Sequence, residues 1–156
     1  FIAVDADGNV YVGGACAQGG ETRERPFVVK LDARGNPAAS FGEAGIARDF
    51  YAAKNAAGTL LPTAIDALVP ASDGILYVGV STKDLQCGVG VGIVKLGADG
   101  RPVDGFGSHG VAMVDLYAGT AWNLGIDGMM RLYAGGNPRT ACPAVAGGGA
   151  IYRFSG

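Results

Sequence analysis

One block of twenty residues occurs twice in this chain. Residues 28–47 read VVKLDARGNPAASFGEAGIA and residues 93–112 read IVKLGADGRPVDGFGSHGVA; ten of the twenty positions are identical without a gap. The matches include Lys30/Lys95, Leu31/Leu96, Pro37/Pro102, Phe41/Phe106 and Gly42/Gly107, which a Gly/Ala-rich composition does not produce in register. A repeat limits the fold more than any single element does, because each copy must take the same local structure and bury its apolar surface against its neighbours. Upstream of each copy lies a second shared segment, DGNVYVGG at 7–14 and DGILYVGV at 73–80. A third version, DGMMRLYAGG, runs from Asp127 to Gly136 with two residues inserted when the Asp-Gly pairs are aligned, and Ile151-Tyr152-Arg153-Phe154 stands for Val-Val-Lys-Leu. The 156 residues thus form a single segment with repeats at 1–50, 64–116 and 121–156 and a linker at 51–63. The third copy has no Phe-Gly-x-x-Gly segment.

Within each copy, short runs of Tyr, Val, Ile and Leu alternate with Gly, Pro, Asp and Ser, the pattern of short strands joined by tight turns. Strands are predicted at 1–4, 10–13, 27–31 and 46–50; at 64–69, 75–80, 92–96 and 111–116; and at 122–126, 131–134 and 150–154. Asp7-Gly8, Asp73-Gly74 and Asp127-Gly128 fall between first and second strands, where a hairpin needs residues that tolerate positive φ. Four antiparallel strands in roughly 55–65 residues is the arithmetic of a propeller blade. The predicted fold is therefore all-β: a β-propeller-type array of four-stranded antiparallel blades, about three of them present, an incomplete ring. Because propellers usually have about four to eight blades, residues 1–156 are expected to be a piece of a longer propeller. The alternative is that two copies of the chain close a six-bladed ring. An uncovered blade face would expose an apolar patch of several hundred Å2, which monomers rarely tolerate.

The segments DADGNVYVGG, VVKLDARGNP and SFGEAGIARDF resemble the bacterial delta-60 repeat over nearly the whole chain apart from the linker. The Phe-Gly-x-x-Gly segment preceded by a Lys-Leu strand is the most specific part. Lys30 and Lys95 stand where that family usually has Arg, and Gly97 departs from its strand-end pattern. The resemblance implies a propeller-like array in large, often secreted or surface proteins of bacteria, hence an extracellular or cell-surface location. It brings no catalytic residues with it.

Composition removes other classes. Only 17% of residues are charged and the net charge is −2, so the chain has neither the character of a disordered tail nor the basic footprint of a nucleic-acid binder. No run approaches the roughly 18 apolar residues of a membrane helix. The 28 glycines lack a three-residue period, which excludes collagen.

Individual residues offer few chemical signals. Asp5-Ala6-Asp7-Gly8-Asn9 resembles the opening of a calcium loop, but no bidentate Glu follows about twelve positions after the first ligand, and a turn explains the same residues. No cofactor is expected. His109 is the only histidine, in a loop position that is Ala44 in the first copy, and reads as solvated. No nucleophile elbow, zincin or P-loop motif is present. Cys16, Cys87 and Cys142 fall one per repeat between second and third strands. They are either buried thiols or supply one disulfide, Cys87 with Cys142 or Cys16 with Cys87, which would fit an oxidising compartment. The loops between second and third strands differ most between copies. That at 15–26 carries Glu21, Arg23, Glu24 and Arg25, and variable loops on a repeated scaffold are where binding specificity is built. The expected function is a non-catalytic structural or recognition module whose partners are the remaining blades or a second copy. The alternative is part of a propeller enzyme whose channel would be lined by first-strand residues such as Asp5, Asp66 and Asn123.

Overall fold

A computed structural model describes residues 1–17, 24–54, 58, 60–84, 88–114, 123–136 and 149–154. They form three antiparallel sheets, each a simple meander. Sheet 1 is β1 (Ile2–Val4), β2 (Val10–Cys16), β3 (Arg25–Leu31) and β4 (Ile46–Arg48). Sheet 2 is β5 (Thr63–Pro70), β6 (Leu76–Asp84), β7 (Gly88–Leu96) and β8 (Val111–Val114). Sheet 3 contains β9 (Asn123–Ile126), β10 (Leu132–Gly136) and β11 (Ala150–Phe154). The all-β, antiparallel expectation holds, and each predicted strand overlaps one observed among the described residues; positions 115, 116 and 122 of the predicted strands lie outside them. The principal difference is length: β6 and β7 run on to Asp84 and back from Gly88. The Gly-Val-Gly-Val-Gly run at 88–92 looks like a loop by composition but alternates with period two and stays paired. β5 carries a bulge at Asp66, where its register against β6 shifts between Ile65 and Ala67. No helix among the described residues is long and apolar enough to cross a membrane.

Alternation along the strands gives every sheet two apolar faces. One face carries the tyrosine of the second strand: Tyr11 and Val28 in sheet 1, Tyr77 and Ile93 in sheet 2. The other carries the aliphatics on either side of that tyrosine, Val10 and Val12 or Leu76 and Val78. The tyrosine face of sheet 1 packs on the aliphatic face of sheet 2, with Tyr11, Val28 and Phe41 buried against Leu76, Val78 and Val94. The tyrosine face of sheet 2 packs in the same sense on sheet 3, Tyr77, Ile93 and Phe106 meeting Leu132 and Ala134. Sheet 2 is thus a two-sided core layer, which explains why buried apolar residues stand on both faces of β6 and β7. Between sheets, β5 adjoins β1, β2 and β3 on one side and β9 on the other.

The identical residues of the repeat make identical contacts. Tyr11 meets Phe41 edge to face with centroids 6.1 Å apart, and Tyr77 meets Phe106 at 5.7 Å. Lys30 Nζ lies 5.1 Å from the Tyr11 ring centre and Lys95 Nζ 5.7 Å from that of Tyr77, each also within 6 Å of the phenylalanine. In the Phe-Gly-x-x-Gly turn, Glu43 and Ile46 exchange backbone hydrogen bonds of 2.8 and 3.0 Å; Ser108 and Val111 do so at 2.8 and 3.1 Å. Gly42 and Gly107 adopt φ of +59° and +58°, and a Cβ at either would sit 2.1 Å from the carbonyl oxygen of Ile46 or Val111. The first turn also joins sheets: Gly42 N–H donates to Asp99 C=O over 2.8 Å.

Candidate functional site

The turn that suggested calcium is built by its own aspartate. Asp5 Oδ1 accepts from the backbone N–H of Asp7 (3.0 Å) and Asn9 (2.9 Å); Oδ2 accepts from Asn9 Nδ2 (2.9 Å) and the Tyr11 hydroxyl (3.2 Å). Both oxygens are therefore engaged with hydrogen-bond donors, which a cation would have to displace. Burial pushes the Asp5 carboxyl up, but the bonds from Asn9, Tyr11 and Asp7 outweigh it and the group lies below its ordinary value. Burial and the Asp5 charge push the Tyr11 phenol up.

The third copy repeats this turn and corrects the alignment. Asp127 accepts from Met129 N, Arg131 N, Arg131 Nε and the Tyr133 hydroxyl, so it occupies the place of Asp5, and no insertion is needed. Met130, at φ 61°, takes the left-handed position that Gly8 holds at 82°; Gly128 has no positive φ and does not close an equivalent hairpin. In the second copy Ala71 occupies the Asp5 position, and the same backbone bond closes the loop from Ala71 N–H to Ile75 C=O. Asp32 caps a fifth-residue turn after β3 in the same way, through Arg34 N and Asn36 N.

The other singled-out residues are dispersed. Asp66 lies on β5 at its bulge, and Asn123 opens β9 and is exposed. His109 is exposed at φ 51°, the position Ala44 holds at the same angle, in a tight turn. Among the described residues no group of three or more His, Cys, Asp or Glu side chains could hold a metal ion. Cys16 is a free, half-buried thiol at the end of β2, paired across the ladder with Arg25. Cys87 and Cys142 lie outside the described residues, as do Glu21 and Arg23.

Glu24 and Arg25 remain, and they line a cleft of about 300 Å3 with Pro26, Asp49, Tyr51 and Leu61. Arg25 Nη1 reaches Asp49 Oδ1 at 3.2 Å, with the two side chains 31% and 56% exposed. The opposite wall is apolar and comes from the segment after β4. It is tied down by Thr63 N–H donating to Glu24 C=O (3.2 Å) and Leu61 N–H to Ala53 C=O (2.9 Å). Phe50 and Tyr51 reach the core between sheets 1 and 2, and the Tyr51 hydroxyl lies 3.7 Å from Met113 Sδ. Burial pushes the Tyr51 phenol up. Reading 51–63 as a linker missed this wall; the signal for it was the unusually apolar pair Leu60-Leu61. A cleft with an ion pair at one lip and an aliphatic and aromatic wall at the other suits a side chain or short peptide segment, and its described residues include no activated nucleophile.

A second cleft, about 460 Å3, opens between sheets 2 and 3 beside Lys95, Asp104, Phe106 and Arg153. The Asp99-Gly100 turn packs at the corresponding place between sheets 1 and 2, against Phe41 and Gly42. This cleft therefore belongs to sheet packing. Comparison with protein-family models, with curated proteins and with solved structures returns no match to this chain.

Proposed function

We propose that the chain is a segment of a β-propeller-type array, a non-catalytic structural or recognition module of a larger secreted or cell-surface bacterial protein. The observation that carries this reading is the repeated sense of stacking, tyrosine face to aliphatic face, with three meander sheets in sequence order. The first strands adjoin as well, β5 lying against both β1 and β9, which is how inner blade strands crowd around an axis. The resemblance to the delta-60 repeat supports the same reading and carries the proposed location.

Recognition is placed at the rim cleft, because its walls come from segments that differ between copies while the sheets beneath stay alike. The partner proposed for it is a peptide segment with an apolar side chain for the Tyr51–Leu61 wall and a polar group for the Arg25–Asp49 lip. Panning a peptide library against the chain tests this. Peptides enriched on the wild type should lose binding to Leu61→Asp and weaken against Arg25→Ala; equal binding to all three chains would remove the cleft from the proposal. Imaging particles of the full-length parent protein tests the array: a ring of blades is expected, and a two-layer sandwich would overturn it.

A further inference from the structure

A sulfur lies where the segment after β4 crosses sheet 2. Met113, on the outer strand β8, pairs with Gly92 in the ladder, and its side chain is 62% exposed. The same ladder place in sheet 1 pairs Arg48 with Phe27. Sheet 2 therefore has a glycine where sheet 1 has a large ring, and the space it leaves is filled by a residue from the segment after β4. A Cβ on Gly92 would sit 3.4 Å from Met113 Sδ and 3.6 Å from the Tyr51 hydroxyl. That hydroxyl donates to Met113 Sδ over 3.7 Å. A thioether is a weak acceptor, so this contact ties the segment to the sheet only loosely. Beside Tyr51, Phe50 is buried in the core, and the far end of the segment is held by Leu61 N–H on Ala53 C=O and Thr63 N–H on Glu24 C=O.

We infer that Met113 is a modification site, at which a peroxide converts the thioether to a sulfoxide, and that the product clasps Tyr51 and the segment after β4 to sheet 2. A sulfur lone pair attacks one peroxide oxygen; the S–O bond forms, the O–O bond breaks, and the departing hydroxide takes the proton left on the transferred oxygen and becomes water. Sulfur gives up two electrons and the peroxide is reduced. The sulfoxide oxygen is a full hydrogen-bond acceptor on a sulfur that already faces the Tyr51 hydroxyl. The gap of 3.7 Å leaves room for an oxygen on the sulfur to accept at the usual O–H···O distance of about 2.7 Å. Exposure favours both steps: the reagent reaches the side chain, and the polar product stays partly in water. A buried methionine would instead disrupt the packing around it once oxidised. Tyr51 also forms one wall of the cleft beside Arg25. Resting on the reading of that cleft as a recognition site, oxidation then orders the wall in advance and strengthens peptide binding.

Met129→Leu with Met130→Leu leaves Met113 as the one methionine of the original three. This chain is treated with hydrogen peroxide and then with dithiothreitol, which returns cysteine disulfides and sulfenic acids to thiols and leaves a sulfoxide in place. Peptide mass spectrometry should find one added oxygen on Met113 of the folded chain. Hydrogen–deuterium exchange at the Leu61 and Thr63 amides should then slow by about two- to tenfold, the effect of one added hydrogen bond. With Tyr51→Phe in the same background, Met113 should still be oxidised and exchange should not slow. A Met113 that stays reduced, exchange that is unchanged or faster after oxidation, or equal slowing in Tyr51→Phe would each overturn the inference. Peptides selected on the cleft separate it from the reading it rests on. Peptides that bind, with exchange unchanged by oxidation, reject the clasp alone; slower exchange with no peptide bound to either form keeps the clasp and removes the cleft as a recognition site.

Discussion

The Tyr133 hydroxyl donates to Oδ2 of Asp127 over 3.1 Å, as that of Tyr11 does to Asp5 over 3.2 Å. The bond ties the face-defining aromatic of the second strand to the turn that precedes it. Turn geometry and tyrosine orientation are thereby set together, six residues apart.

Acid should release this tie. Burial acts to raise the Asp127 carboxyl, but bonds from Arg131, Met129 and Tyr133 prevail and bring it from 3.8 down to about 2. The folded form therefore holds its proton less tightly than the unfolded chain. Its contribution to stability is complete above 3.8 and fades as pH falls through about 2. Asp5 and Asp32 shift in the same direction. Carboxyl 13C titration of Tyr133→Phe should move the Asp127 midpoint upward; an unmoved midpoint would show that the hydroxyl does not hold the carboxylate.

Ala44 and His109 sit at φ 51° without glycine's freedom. Left-handed backbone costs an L-residue about 1–2 kcal/mol, part of which glycine returns as unfolded-state entropy. Ala44→Gly and His109→Gly should each stabilise by about 0.5–1 kcal/mol, raising Tm by about 2 °C. Thermal unfolding followed by circular dichroism reads this directly.

Gly42→Ala should do the opposite. Its Cβ would meet the Ile46 carbonyl oxygen and would also push on the contact from Gly42 N–H to Asp99 across the sheets. A loss of about 2 kcal/mol or more is expected in urea unfolding. Gly135→Ala, whose Cβ would make only ordinary contacts at 3.8–3.9 Å, should cost less than about 1 kcal/mol.

Ile93 and Ile151 hold the same ladder position in successive sheets with opposite burial, 0% and 80%. At dilute concentration Ile93→Ala should cost about 2–5 kcal/mol and Ile151→Ala less than about 0.5 kcal/mol. Similar losses at the two sites would mean that sheet 3 is covered on its outer side even in the monomer.

The strands were legible because period-two alternation and turn residues are local signals, and the repeat let each copy check the others. Register within the third copy was not. Matching Asp127-Gly128 to Asp7-Gly8 follows the strongest dipeptide, whereas the turn is defined by the capping carboxylate, and Met130 can occupy the left-handed position once Asp127 holds the loop. The cleft beside Arg25 was half legible. Glu24 and Arg25 stood out as charges in a variable loop, but Asp49, Tyr51 and Leu61 reach the same place only through the fold of the segment after β4.

The unequal faces of each sheet also bear on how such a chain is assembled over evolutionary time. A duplicated repeat inserted anywhere in the series arrives with a back that already fits the front of the sheet before it, and a front that fits the next. Tyr11 and Tyr77 need no new neighbour to be invented, only another Leu76 or Leu132. Lengthening the series is therefore a matter of copying, and the number of sheets can change while the contact between them stays the same.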